Sequence, residues 1–211
     1  MPDKSELARV ESFSDAVFAI AATLLVLELK MPAFNSNLST REVWKEIADL
    51  WPSYMAFLLS FVTILIIWVN HHYTLLLINK TSKSFFYSNG FLLFTITFLP
   101  FPTALLAQYI ATKDAVVGVV TYSLACMLIN LAFIIWWISM RKPIYIIKPE
   151  VTKSHIKKIT TQLWIGLLIY IIATLISCWS PTIGIIIVIT LDALWITLSL
   201  REKNITKEVV L

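Results

Sequence analysis

Residues 9–32 read RVESFSDAVFAIAATLLVLELKMP, and the interpretation of the whole chain starts from them. A polar and charged beginning passes into an apolar run that only Thr23 interrupts. The run from residue 16 to residue 29 is shorter than the about 20 residues that a membrane-spanning helix needs. The first span is therefore expected to begin near Phe13 and to include Asp15. A carboxylate at that depth is costly unless it is paired, so Asp15 predicts a partner and a functional role.

The composition is that of a protein that crosses a membrane several times. Hydrophobic residues make up 58% and charged residues 14% of the 211 residues, and the mean hydropathy is +0.80. Soluble domains average about 25% charged residues. The net charge of +4 comes from basic residues that lie between apolar runs, so no nucleic-acid-binding face is predicted. Cys126 and Cys178 lie inside apolar runs, which predicts buried thiols and no disulfide framework.

The apolar runs predict one all-α unit, residues 1–211, with six membrane-spanning helices. The predicted spans cover residues 13–31, 51–72, 85–110, 116–140, 159–179 and 182–200. Ser39 or Thr40 is expected to cap a short amphipathic helix between the first two spans. Pro100 and Pro102 predict a kink in the third span, because proline has no N–H to continue the helical hydrogen bonds.

The distribution of Lys and Arg predicts the orientation. With the N-terminus inside, thirteen of these residues lie on inner segments and four on outer segments, which together make the 17 of the chain. Because cytoplasmic loops carry an excess of basic residues, both termini are predicted to be cytoplasmic. No repeat relates the first three spans to the last three, so any symmetry is expected to come from oligomerisation.

One face of the first span carries a stripe of residues at spacings of three and four. The stripe consists of Phe13, Ala16, Ile20, Thr23, Leu24 and Leu27. The ordinary interpretation of such a stripe is a lipid-facing or helix-packing surface. Asp15, however, lies on roughly the opposite side of the helix. If Asp15 faces the protein interior, the stripe faces elsewhere, and in a closed oligomer that place can be a symmetry axis at which apolar rings gate by dewetting.

The inner end of the second span offers partners for Asp15. The candidates are Trp68, Asn70, His71 and His72. Tryptophan and histidine supply N–H donors that suit a buried carboxylate. Adjacent helical residues point about 100° apart, so a metal site shared by the two histidines is not predicted. Asp192 in the sixth span is a second carboxylate at depth, which needs a partner or a water-filled cavity.

Three segments together resemble the transmembrane protein 175 family of potassium channels. They are Arg9-x-x-x-Phe13-Ser14-Asp15 at the head of the first span, Trp68-x-x-His71 in the second span, and TITFLPF at residues 95–101 in the third. The first motif is the more specific one, and the resemblance covers essentially the whole chain. It implies a homotetrameric cation channel that prefers potassium to sodium, has no TVGYG filter, and lines its pore with the first span.

The resemblance also implies roles for individual residues. Ile20 corresponds to the narrowest pore layer, and Thr23, Leu24 and Leu27 correspond to further pore-facing positions. A structural network at the cytoplasmic end is implied for Arg9, Phe13, Ser14, Asp15, Trp68 and His71. Because an aliphatic ring offers potassium no ligands, we expect the Thr23 hydroxyls to hold K⁺ transiently and to contribute to ion discrimination.

The predicted function is therefore a leak-type potassium channel subunit in a prokaryotic inner (plasma) membrane. Its expected partners are three further copies of the chain, the lipid bilayer and permeant K⁺, with no nucleic acid, no organic cofactor and no enzyme activity. One alternative is a secondary transporter or proton-coupled carrier that uses Asp15, His71 and Asp192 as a proton relay. Another is a structural membrane subunit in which an Asp15–His71 pair serves assembly.

Overall fold

The computed structural model describes residues 4–30, 39–141 and 146–210, with side chains described from residue 6 and up to residue 200. All of the elements are helical, and they run as follows: α1 (Lys4–Leu24), a 3₁₀ turn (Leu25–Glu28), α2 (Thr40–Asp49), α3 (Trp51–Leu75), α4 (Lys83–Phe98), α5 (Pro100–Tyr109), α6 (Ala115–Arg141), α7 (Lys153–Ser177) and α8 (Pro181–Val210). Six segments of this described part are long and apolar enough to cross a bilayer, as the sequence predicted. The predicted end of the first span, at residue 31, lies outside the described residues.

Helix α1, which contains the first span, begins at Lys4, before the predicted start of that span near Phe13. Contacts with the rest of the fold explain the extra turns. The Thr81 hydroxyl donates a hydrogen bond of 2.9 Å to Glu6, and Glu11 lies 3.1 Å from Nδ1 of His72. Val10 is buried between these two positions. Tertiary partners therefore stabilise a polar segment whose composition alone does not predict a buried helix.

The connection between the first two spans contains the predicted amphipathic helix. Ser39 caps α2 through a capping box with Glu42: its hydroxyl accepts from the Glu42 N–H, while Glu42 accepts from the Ser39 hydroxyl at 2.7 Å and from its N–H at 2.8 Å. These two hydrogen bonds lower the pKa of the exposed Glu42 carboxyl. None of the residues of α2 is buried, so this helix stands apart from the core.

The third span is broken at the predicted place. Helix α4 ends at Phe98, and α5 begins with Pro100, whose fixed φ suits the first turn of a new helix. The fifth span begins at Lys153, earlier than the predicted residue 159, because the Thr152 hydroxyl accepts from the His155 N–H at 3.2 Å and caps α7.

The two cysteines differ in burial. Cys126 is buried, as predicted. The prediction of a buried thiol is wrong for Cys178, which lies just after α7 and is exposed on the surface of the subunit.

Helix α6 is the centre of the bundle and packs against α4, α5, α7 and α8. Its aromatic residues Tyr122, Trp136 and Trp137 are among the largest fully buried side chains. Gly118 lets α5 approach closely, because a Cβ at this position would lie 2.8 Å from the Leu105 carbonyl oxygen. Helix α1 packs on the side of this bundle, against α3 and α4. One face of the first span is thus fixed to the core and the other is left uncovered.

Candidate functional site on the first span

The predicted stripe on the first span is the uncovered face of that span. Ile20 is 57% and Leu27 is 66% exposed, and the other members of the stripe are exposed as well. The buried residues of the same span form the opposite face, and they are Val10, Ser14, Phe18, Ala21 and Leu25. A helical face of this length in a membrane protein contacts either lipid or another subunit.

Thr23 introduces a hydroxyl into this otherwise apolar face. Its Oγ1 donates a hydrogen bond of 2.9 Å to the carbonyl oxygen of Ile20 in the same helix. The single proton of the hydroxyl is thereby used, so the oxygen presents only its lone pairs to the outside. Thr23 can accept from water or contact a cation, but it has no further proton to donate.

Asp15 is paired with one of the partners that the sequence suggested. The indole Nε1–H of Trp68 donates a hydrogen bond of 2.8 Å to Oδ1 of Asp15, which joins α1 to α3. The ring of Trp68 is stacked on that of His72, with the centroids 6.3 Å apart. His72 in turn approaches Glu11 on α1. Trp68 and His72 therefore attach two successive turns of the first helix to the second span.

His71 does not pair with Asp15, so the proposed Asp15–His71 pair is wrong. Its Nε2 lies 2.9 Å from Oδ1 of Asn89 on α4, and Nδ2 of Asn89 donates to Oγ of Ser14 at 3.0 Å. This buried chain connects α3, α4 and α1. The ring of His71 also stacks on Trp136 of α6, with centroids 4.5 Å apart and an interplanar angle of 12°. His71 is held among four helices, which fits a structural position.

Asn89 is the residue that sequence reasoning missed. It lies in an apolar span, where an amide side chain is costly unless its hydrogen bonds are satisfied. The signal in the sequence is the polar pair Ser88-Asn89 in the third span, whereas the partners predicted for Asp15 all lie on the second span. Two predicted members of the network lie outside it: Phe13 is exposed on the stripe, and Arg9 has no hydrogen bond or ion pair within the described residues.

Of the three groups of the proton-relay alternative, Asp192 lies in a cluster separate from Asp15 and His71. Asp192 is buried on α8, where it accepts from the Thr63 hydroxyl at 2.6 Å and from the Tyr170 hydroxyl at 3.3 Å. No hydrogen bond in the described part of the chain connects this cluster to Asp15 or His71. Among the same residues, no three His, Cys, Asp or Glu side chains are grouped as metal ligands would be.

Comparisons with known proteins identify a family. A family model described as the endosomal/lysosomal potassium channel TMEM175 matches residues 9–100. A protein named potassium channel from Chamaesiphon minutus is 41% identical over 181 residues, which cover 84% of this chain and 89% of that protein. Another protein named potassium channel, from Streptomyces collinus, is 38% identical over 135 residues, covering 63% of this chain and 64% of that protein.

A solved structure agrees with these relatives. The crystal structure of a lysosomal potassium-selective channel TMEM175 homolog from Chamaesiphon minutus superposes with a TM-score of 0.82. Its sequence is 38% identical, and the match covers 93% of this chain and 99% of that one. The identity and the coverage together establish that the chain belongs to the TMEM175 family.

Proposed function

We propose that the chain is a subunit of a potassium-selective channel, and that four copies surround a pore lined by the first span. The observation that carries this proposal is the division of that span into two faces. One face is attached to α3 and α4 by side-chain hydrogen bonds, and the other is an uncovered stripe from Phe13 to Leu27. The names of the relatives from Chamaesiphon minutus and Streptomyces collinus support potassium as the permeant ion.

The proposed constriction is a ring of Ile20 side chains around the symmetry axis. Apolar rings of small radius exclude water and thereby block ions, so such a ring works as a gate. It offers no ligands and cannot by itself distinguish potassium from sodium. We assign part of the discrimination to Thr23, because its hydroxyl oxygen points lone pairs away from the helix and can replace a water ligand of K⁺.

The network around Asp15 and Asn89 is proposed to hold the pore helix at a fixed rotation. An α-helix that rotated by one residue would turn Ile20 through about 100° and remove it from the axis. Trp68 and Asn89 oppose such a rotation, because each donates a hydrogen bond to α1: Trp68 to Asp15, and Asn89 to the adjacent Ser14. Both hydrogen bonds lie toward the end of the bundle where α1 begins and α3 ends.

We place the channel in a prokaryotic plasma membrane with both termini in the cytoplasm. Six crossings bring the ends of the chain to the same side, and the excess of Lys and Arg on that side favours the cytoplasm. Passive permeation of K⁺ needs neither a cofactor nor an enzymatic step.

Single-channel recording of the purified protein in a planar bilayer, with potassium on one side and sodium on the other, tests the proposal. Ile20→Asn puts a polar ring at the constriction and is expected to raise open probability or conductance, because the ring is then wetted. The matched control is Ile186→Asn on α8, which is 54% exposed but lies off the first span. If the two variants behave alike, Ile20 does not line the pore; if the wild-type protein passes no unitary potassium current, it is not a channel.

A further inference from the structure

A cavity inside the subunit is separate from the stripe on the first span. It has a volume of about 90 Å³ and lies between α3, α6, α7 and α8, with no residue of α1 in its lining. A buried water occupies roughly 10–15 Å³ on this scale, so the cavity has room for several atoms beyond one or two waters. Its walls are mainly apolar, with Ile129, Phe133 and Leu163 among the lining residues.

The deep end of this cavity carries an acceptor that is not neutralised. The Asp192 side chain is 3% exposed, and its two hydrogen-bond donors, Thr63 and Tyr170, are both uncharged. No cationic side chain of the described residues forms an ion pair with it. A carboxylate has about four acceptor positions, so two donors leave it capacity for more.

A second acceptor lies on the same wall. Asn130 on α6 lines the cavity and is 8% exposed, yet its Oδ1 has no hydrogen-bond partner. Asn130 and Trp195 both border Gly166, since a Cβ there would lie 3.1 Å from Asn130 Nδ2 and 2.8 Å from Trp195 Cζ2. Trp195 follows Asp192 by three residues on α8 and so lies on the same helical face. The unpartnered amide oxygen and the carboxylate therefore belong to one site.

The lining determines which ligand satisfies both acceptors. A proton on Asp192 would remove the charge but would leave Asn130 Oδ1 and the apolar volume unfilled. A bare metal cation needs six or more oxygen ligands if it is to resemble Ca²⁺ or Mg²⁺ in proteins, and these walls are mainly apolar. An organic ammonium ion has several N–H donors and a positive charge at one end and an apolar body at the other, which matches the cavity.

We propose that this cavity binds a small organic ammonium ion with a compact apolar group, its N–H groups donating to Asp192 and Asn130. The half-buried side chains of Asn70, His155 and Ser199 line the other end of the cavity. Ser199 is seven residues beyond Asp192 on α8, which corresponds to about 10 Å along the helix. This end is the route by which the ligand reaches Asp192.

Isothermal titration calorimetry of the full-length channel in detergent tests the site with cyclohexylamine, and with cyclohexanol as its uncharged analogue of equal size. Saturable binding of one cyclohexylamine per chain is expected, at least tenfold weaker in Asp192→Asn, and no saturable binding of cyclohexanol. Asp114→Asn, in the exposed turn before α6, is the matched control and is expected to bind as the wild type does.

Equal binding of amine and alcohol, or an unchanged affinity in Asp192→Asn, would overturn the proposal. Displacement of cyclohexylamine by KCl but not by choline chloride would also overturn it, since the site would then hold an inorganic cation. If Asp192→Asn does not assemble, Leu163→Phe provides the second variant: it keeps the carboxylate but fills the apolar part of the cavity. Leu163→Phe is expected to lower the affinity at least tenfold, and unchanged binding would again contradict the proposal.

Discussion

Asn89 and His71 join the third span to the second by a buried contact of 2.9 Å between Oδ1 and Nε2. The amide of Asn89 donates in the other direction to Ser14 on the first span. Because Nδ2 is the donor to Ser14, Oδ1 is the acceptor, and the proton of the His71 ring is on Nε2. Asn89 thus connects the first three spans through hydrogen bonds, although it carries no charge.

Replacement of Asn89 by leucine, which has a similar size, is expected to destabilise the channel by about 1–3 kcal/mol, because it leaves buried polar groups of His71 and Ser14 without partners. Thermal unfolding of the detergent-solubilised protein measures the effect. Gln108→Leu makes the same chemical change at an exposed position of α5 and is expected to leave the unfolding temperature near the wild-type value. Equal unfolding temperatures for the two variants would mean that the buried network adds no stability.

Trp68→Phe keeps an aromatic ring but removes the N–H that donates to Asp15. We expect a loss of about 1 kcal/mol, which is less than the about 1.5–3 kcal/mol of a buried hydrogen bond to a charged group, since Trp68 is 36% exposed. Asp15→Asn and the double variant complete a double-mutant cycle, in which unfolding measurements give the coupling between the two side chains. Additive losses in the cycle would show that the 2.8 Å contact does not stabilise the first span.

Periodicity was sufficient to predict the free face of the first span, because a helix imposes a fixed angular relation between its own residues. The identity of the polar partners depends on how the spans are aligned with one another, which the sequence does not state. Depth in the membrane was enough to limit the candidate partners of Asp15 to residues at one end of the second span, and Trp68 was one of them. The contact of His71 with Asn89 could not be predicted, because it depends on how α4 is placed relative to α3.

Thr23→Val replaces the hydroxyl with a methyl group of nearly the same shape. In the proposed pore it removes the oxygen that can replace a water ligand of K⁺, so the permeability ratio of potassium to sodium is expected to fall. Bi-ionic reversal potentials measure that ratio. Thr23→Ser keeps the hydroxyl and is the matched control, expected to retain the wild-type ratio. A wild-type ratio in Thr23→Val would remove Thr23 from the account of selectivity.

Leu27→Cys tests whether the stripe meets its own copies at an axis. A disulfide requires Cα atoms about 4.4–6.8 Å apart, a separation reached only where two copies pack directly against each other. In a Cys178→Ser background, mild oxidation of Leu27→Cys is expected to give covalent dimers on a denaturing gel. Leu168→Cys on α7 is equally apolar and exposed, and is expected to remain monomeric. Cross-linking of Leu168→Cys alone would move the subunit interface to α7.

Gly184→Ala tests the packing of the last two spans. A Cβ at Gly184 would overlap Ser177 Oγ and would lie 2.9 Å from Ser177 Cβ, in a place where α7 and α8 meet. Overpacking of this kind costs about 1–3 kcal/mol, so a lower unfolding temperature and less assembled channel on size-exclusion chromatography are expected. Gly90 has no atom within 4 Å of its Cβ position, and Gly90→Ala is expected to be neutral or stabilising, since alanine favours a helix over glycine. If both alanine variants are equally stable, α7 and α8 do not approach as closely as described.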